Sequence, residues 1–286
     1  MNVDDIKKVT VIGCGTMGNG IAQVFAQRGF TVNLVDIDQA FLDRAIAGIG
    51  KSMDRMIKKE KITEDDKKAA LGAISTSTDL KVAADSDLVI EAVTENLKVK
   101  LDIFTRLKEI SREDAILASN TSSLPITQLA TATGKADRFI GMHFMNPVPM
   151  MKLIELIRGI ATGDETYAII EELARKLGKT PVEVNDFPGF IANRILMPMI
   201  NEAVFALMEG VGTVEAIDEV MKLGMAHPMG PFQLADLIGL DVCLAIMEVL
   251  YEGFSDSKYR PCPLLRNMVR AGYLGRKSKK GFYDYD

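Results

Sequence analysis

The stretch VTVIGCGTMGNGIAQVFAQRGFTVNLVD, residues 9–36, decides the fold. VTVI (9–12) is a short apolar run that ends in glycines, and TVNLVD (31–36) is a second such run. Between them Met17, Ile21, Val24 and Phe25 recur at the spacing of one helix face. The segment therefore reads strand, glycine loop, helix, strand. Gly13, Gly15 and Gly18 form G-x-G-x-x-G in the loop. Gly13 permits a tight turn, Gly15 lets the backbone approach a pyrophosphate, and Gly18 lets the helix pack close to the strand. The helix start, at Thr16 and Met17, offers N–H groups and a positive dipole end to phosphates. Asp36 closes the second strand, where a carboxylate accepts hydrogen bonds from an adenosine ribose and repels a 2′-phosphate. The pattern predicts dinucleotide binding, with NAD preferred over NADP.

Working outward, LVIEAV (88–93), AILAS (115–119) and RFIGMHF (138–144) are further buried-strand candidates, separated by helical stretches such as 95–109. The alternation predicts a mostly parallel sheet with helices on both faces, a Rossmann-type α/β domain. One insertion departs from it. From Asp38 to about Leu71, the residues Leu42, Ala45, Ile46, Ile49, Met53, Met56 and Ile57 mark a long amphipathic helix, and KITEDD restarts a second with Thr63 as its cap. This reads as a helical hairpin, about 38–72, standing off the sheet with Lys51, Arg55, Lys58, Lys59 and Lys61 on its polar face. A break is expected at VEVNDFPGF (182–190). Beyond it helical periodicity dominates, over 190–208, 214–224, 240–253 and 263–271. The expected organisation is an α/β domain at 1–185 and a smaller all-α domain at 186–286.

Composition limits the function classes. The chain has 286 residues, 48% hydrophobic and 26% charged, with a formal charge of −5. That balance argues against a nucleic-acid partner. No apolar run reaches the roughly 18 residues of a membrane span, and the N-terminus runs directly into the first strand without a secretory leader. Cys14, Cys243 and Cys262 show no close spacing, so they read as small fillers in a reducing compartment, with no disulfide framework and no metal site. The expectation is a soluble cytoplasmic protein.

The chemistry is concentrated in GMHFMNPVPMMKLIELI (141–157). His143 is one of two histidines in the chain, and Glu155 sits between Leu153-Ile154 and Leu156-Ile157, where a core strand would carry an aliphatic residue. A carboxylate buried there without a partner would cost several kcal/mol. SNTSSLPITQLA (119–130) follows another strand, at the edge where open α/β sheets bind ligands. Ser123, with Pro125, reads as a helix cap, whereas Ser122 faces the crevice. His143 ends the next strand on the same edge, and the NPVP turn (146–149) could bring Glu155 alongside it. A carboxylate bonded to one ring nitrogen fixes the tautomer and leaves the other nitrogen for substrate, which predicts general acid/base work. His227, before a proline in the helical part, reads as structural.

These residues resemble the short-chain L-3-hydroxyacyl-CoA dehydrogenases, particularly the bacterial 3-hydroxybutyryl-CoA dehydrogenases. The resemblance covers essentially the whole chain and rests on VIGCGTMGNGIAQ, EAVTENLKVK, SNTSSLPIT, HFMNPVPMMKLIEL, DFPGFIANRI, HPMGPFQLADLIGLD and the terminal GRKSKKGFYDYD. It implies an NAD domain joined to a helical domain that makes most of a homodimer interface. It implies reversible NAD-dependent oxidation of an (S)-3-hydroxyacyl-CoA thioester to the 3-oxoacyl-CoA, with four carbons and the reductive direction favoured. By position, His143 resembles the acid/base, Glu155 its orienting carboxylate, and Ser122 and Asn193 the groups that hold the substrate oxygen. Glu91 and Lys98 match the nicotinamide and ribose side of the cofactor, and Asn120 and Asn146 complete the expected cofactor set. Lys51, Arg55 and Lys58 match the region that receives the coenzyme A nucleotide. Lys279 stands where the family commonly has glycine. A dehydrogenase of free 3-hydroxy acids and a non-catalytic NAD-binding structural protein, as in lens crystallins, are the alternatives.

Overall fold

In the computed structural model, which describes residues 1–286, the apolar strand β1 (Lys8–Ile12) is an interior strand of the molecule's one large sheet. Val9 and Val11 are fully buried and Ile12 nearly so, because helices cover both faces of a parallel strand. The chain continues through α1 (Thr16–Ala26), β2 (Thr31–Val35), α2 (Gln39–Ile57), α3 (Glu64–Gly72), β3 (Ile74–Ser77), β4 (Leu88–Glu91) and α4 (Leu97–Ile110). Then follow β5 (Ile116–Ser119), α5 (Ile126–Ala130), β6 (Phe139–Phe144), β7 (Leu153–Arg158), α6 (Asp164–Lys176) and β8 (Thr180–Asn185). The sheet order is β3-β2-β1-β4-β5-β6-β7-β8. The chain winds outward from β1 to β3, then returns to lay β4 on the other side of β1. That reversal of winding is the switch point where such sheets bind ligands. Every pair is parallel except β6–β7, in which His143 lies directly opposite Glu155.

Two strands, β3 and β8, depart from the sequence expectation, and both are edges. Their burial is patchy, and Pro181, which lacks a backbone N–H, sits inside β8. Edge strands bury less and tolerate proline, so their apolar signal is weak. The first half of the expected break at 182–190 is therefore strand.

The hairpin helices are capped as their sequence indicates: Asp38 Oδ1 accepts from Ala40 N at 2.8 Å, and Thr63 forms a reciprocal capping box with Asp66. The hairpin does not stand off, however. Leu42, Ile49 and Met53 are almost fully buried and belong to the main core with α1 and the sheet. Each such burial is worth about 1.5–3 kcal/mol, enough to dock the helix firmly.

The chain divides into two compact units, Met1–Asp186 and Phe187–Asp286. The second unit is helical: α7 (Ala192–Met208), α8 (Val214–Glu219), α9 (Pro231–Ile238), α10 (Leu240–Phe254) and α11 (Pro263–Arg270). Its core includes Met197, Val204, Phe232, Leu240 and Leu250. Helix α9, unforeseen in the sequence, begins with Pro231, and buried Asp218 accepts from Phe232 N at 2.8 Å and Gln233 N at 3.0 Å at its start. Asp236, also buried, accepts from Phe282 N, Tyr283 N and Tyr285 Oη, fastening the C-terminal tail. No helix is long and apolar enough to cross a membrane.

Candidate active site

The glycine loop follows β1 and meets the end of β4. A side chain at Gly13 would place its Cβ 2.6 Å from Ala92 O, and one at Gly18 would lie 1.7 Å from Gly13 O. At Gly15 a Cβ would meet nothing within 4 Å, so that position opens onto space. The space is a cavity of about 830 Å³ whose walls include Gly13, Gly15, Thr16, Met17 and Asp36. Asp36 Oδ2 accepts from Cys14 N at 2.7 Å and Oδ1 from Ile37 N at 2.7 Å, tying this carboxylate to the loop. The cradle fits a dinucleotide: backbone without side chain at the phosphates, a helix start, and a carboxylate at the far end. Burial, with a hydrogen bond to Asp36, pushes the Cys14 thiol up to about 12, so it stays neutral beside the loop.

Residues of the EAVTENLKVK segment fall differently from expectation. The Glu91 carboxylate turns away from the cavity and is 0% exposed; it accepts from Val93 N (2.7 Å), Ser119 Oγ (2.6 Å) and Lys100 Nζ (2.6 Å). Lys98 is exposed and is not in the wall of this cavity, while Lys100, two residues on, is 1% exposed. The reason is helical phase: position 100 shares the inward face of α4 with Phe104 and Leu107. Lys100 also lies 3.3 Å from Glu95 Oε2.

Glu95, which the sequence reading passed over, organises the serine loop. Its Oε1 accepts from Ser122 N (2.8 Å), Ser123 N (3.1 Å) and Thr121 Oγ1 (2.6 Å), with Ser122 Oγ at 3.2 Å and Ser123 Oγ at 3.0 Å. Burial pushes its carboxyl up, but Lys100 and these hydrogen bonds outweigh it, holding the group below its ordinary value. Ser123 is thus no helix cap. The start of α5 is served instead by Asp186, whose two oxygens accept from Ile126 N (3.0 Å) and Thr127 N (2.7 Å). The signal for Glu95 was a carboxylate directly before the α4 cap Asn96, in the loop that follows the apolar strand β4.

Strands β5 and β6 pair in parallel with Ser119 opposite Gly141, so Ser122 and His143 leave the sheet at the same edge. His143 is 8% exposed and Glu155 2% exposed, and His143 Nδ1 lies 2.7 Å from Glu155 Oε2. Asn120 Oδ1 accepts from Phe144 N at 2.9 Å, locking the ends of β5 and β6 together. Asn120 and Asn146 do not line the dinucleotide cavity; Asn146 is exposed, just beyond β6. Asn193 is buried near the start of α7.

A second cavity, of about 810 Å³, lies among α1, α2 and the turn after β6. Arg28, Arg55, Lys59, Lys61, Lys152 and Lys179 line it, with no acidic residue in its wall. Lys51 and Lys58 are not part of it. Ser52, Arg55 and Met56 share one face of α2, and Lys59, just past the Lys58 cap, continues the i, i+3, i+4, i+7 spacing, whereas Lys51 and Lys58 sit on the neighbouring face.

A dinucleotide cradle beside a buried histidine–carboxylate pair defines a nicotinamide-dependent dehydrogenase architecture. Residues 8–187 match the NAD binding domain of 3-hydroxyacyl-CoA dehydrogenase, and residues 189–285 match its C-terminal domain. The chain belongs to the 3-hydroxyacyl-CoA dehydrogenase family, whose members are NAD-dependent oxidoreductases. It is 60% identical to the probable 3-hydroxybutyryl-CoA dehydrogenase of Deinococcus radiodurans, over 97% of this chain and 100% of the relative. It is 46% identical to the mitochondrial hydroxyacyl-coenzyme A dehydrogenase of Rattus norvegicus, over 98% of this chain and 91% of the relative. The crystal structure of the (S)-3-hydroxybutyryl-CoA dehydrogenase PaaH1 from Ralstonia eutropha superposes with a TM-score of 0.96 at 55% identity, covering 99% of this chain and 100% of that one.

Proposed function

We propose that the protein is an (S)-3-hydroxybutyryl-CoA dehydrogenase, interconverting acetoacetyl-CoA and (S)-3-hydroxybutyryl-CoA with His143 and Glu155 as its acid/base pair. The observation that carries this reading is the 2.7 Å contact between His143 Nδ1 and Glu155 Oε2 at the ligand edge of the sheet. NAD, when bound along Gly13, Gly15, Thr16, Met17 and Asp36, would accept the hydride from substrate C3 in oxidation and, as NADH, return it in reduction.

In oxidation His143 takes the C3 hydroxyl proton through the ring nitrogen remote from Glu155; in reduction it returns a proton to the developing alkoxide. Glu155 holds the imidazole in one tautomer and orientation. Ser122 presents its hydroxyl to the substrate oxygen, where charge develops in the transition state, and Asn193 takes the amide role that family membership implies. The serine loop keeps this placement because Glu95 holds it. Glu91 and Lys98 have no part in cofactor contact in this reading; the Lys100–Glu91 pair supports the loop from beneath.

The coenzyme A nucleotide takes the acid-free basic cavity, with Arg55, Lys59 and Lys61 on the hairpin side. A pairing of two copies is supported by exposed Ile195, Val211, Val220 and Leu223 on the helical unit. The three free, buried cysteines suit the reducing cytoplasm.

NADH oxidation with acetoacetyl-CoA, compared with free acetoacetate, tests the function. The reading requires kcat/KM to fall by at least roughly a hundredfold without coenzyme A, since remote binding energy is spent at the reacting centre. Equal turnover would assign the chain to free 3-hydroxy acids, and no turnover of either would assign it a non-catalytic role.

A further inference from the structure

Lys179, immediately before β8, is 9% exposed although it is a lysine. Its Nζ donates to Val148 O at 2.5 Å and to Met151 O at 2.7 Å. Both carbonyls belong to the turn that joins β6, with His143, to β7, with Glu155. The same lysine lines the basic cavity beside Arg28, whose charge repels it; burial first, and Arg28 second, push its pKa down. The turn is seated on α1 at its other side: Val148 is 2% exposed, and a Cβ at Gly20 would come within 2.9 Å of it. Burying an ammonium against carbonyl dipoles alone is costly, and an apolar residue would pack the site without that cost.

We propose that Lys179 is a positioning residue that couples occupancy of the basic cavity by the coenzyme A nucleotide to the placement of His143 and Glu155. A polyphosphate there offsets the Arg28 repulsion, favours the charged ammonium, and tightens its hold on both carbonyls. The turn then fixes the two strands that carry the acid/base pair, and binding energy from the remote nucleotide is expressed in kcat rather than in KM. The inference rests on the assignment of that cavity to coenzyme A.

The test compares acetoacetyl-CoA with acetoacetyl-pantetheine, which lacks the nucleotide, in the wild type and in Lys179→Met, Lys179→Arg and Arg55→Ala. The wild type should lose kcat by roughly tenfold or more with the truncated thioester. Lys179→Met should keep NADH affinity and the KM for acetoacetyl-CoA, while its kcat falls to the pantetheine level, so that the advantage of the nucleotide disappears. Lys179→Arg should restore part of that advantage. A Lys179→Met enzyme that retains the wild-type ratio of kcat values overturns the proposal. Arg55→Ala speaks to the cavity separately: an unchanged kcat/KM for acetoacetyl-CoA would remove the nucleotide assignment, whatever Lys179 does. If Lys179→Met does not fold, hydrogen exchange on the wild type decides. Coenzyme A must then slow exchange at the Met150 and Met151 amides, which bond to Pro147 O within the turn, and an unchanged rate overturns the proposal.

Discussion

Glu155 faces His143 directly across the antiparallel β6–β7 ladder, and their side chains meet at 2.7 Å. Backbone pairing sets the Cβ separation, so the orientation of the imidazole is built into the sheet rather than left to a loop. His143→Gln should therefore lower kcat by about 10²–10⁴-fold, the usual worth of general acid/base catalysis, with NADH binding unchanged in a fluorescence titration. Glu155→Gln should lower kcat less while preserving KM. Near-normal turnover in His143→Gln would remove the histidine from the mechanism.

Gly15 and Gly18 should separate cofactor binding from folding. Gly15 has φ −63° and open space around its Cβ position, so Gly15→Ala should melt like the wild type yet bind NADH poorly, because the methyl fills the phosphate cradle. Gly18→Ala drives a Cβ against Gly13 O and should lower both Tm and NADH affinity. Parallel thermal melts and NADH titrations check the contrast.

Lys100→Met should destabilise the α/β unit by about 3–5 kcal/mol, since it leaves the fully buried Glu91 carboxylate without its cation. The double change Lys100→Met with Glu91→Gln should recover part of that loss. Urea unfolding of the three proteins gives the comparison, and a single variant as stable as the wild type would refute the pairing as a support.

Glu95 makes acid stability sensitive to pH. Its folded pKa lies below the ordinary 4.5, so its contribution is complete above that value and is lost as pH falls through the lowered one. Glu95→Gln should lose stability less steeply than the wild type on acidification from pH 5 to 3, in melts at fixed ionic strength. Its kcat with acetoacetyl-CoA should also fall, because Ser122 loses the carboxylate that holds it.

The central strands, the glycine loop and most long helices were legible in the sequence because each carries a strong period or an uninterrupted apolar run. The two edge strands were not, because half-exposed residues such as those of Thr180–Asn185 give a mixed signal. Within the site, His143 and Glu155 announced themselves as polar residues inside apolar runs. Lys100 carried the same signal more faintly, a charge in phase with Phe104 and Leu107 where an aliphatic residue was due. Ser123 beside Pro125 mimicked a cap, but the donors of α5 are met by Asp186, about 60 residues away in sequence. Such a partner leaves no local trace. The division of the basic residues of α2 between cavity and surface likewise depends on helix phase, which composition does not convey.

The single antiparallel reversal in the sheet has a further consequence. A parallel neighbour would need a crossover of a dozen or more residues before the second strand could start. The reversal lets His143 and Glu155 come from one short contiguous piece of chain, twelve residues apart, while the glycine loop belongs to another piece near the N-terminus. The two tasks have separate addresses in the gene. On the roles proposed for these residues, sequence drift can retune proton transfer without disturbing coenzyme affinity, and the coenzyme without disturbing proton transfer.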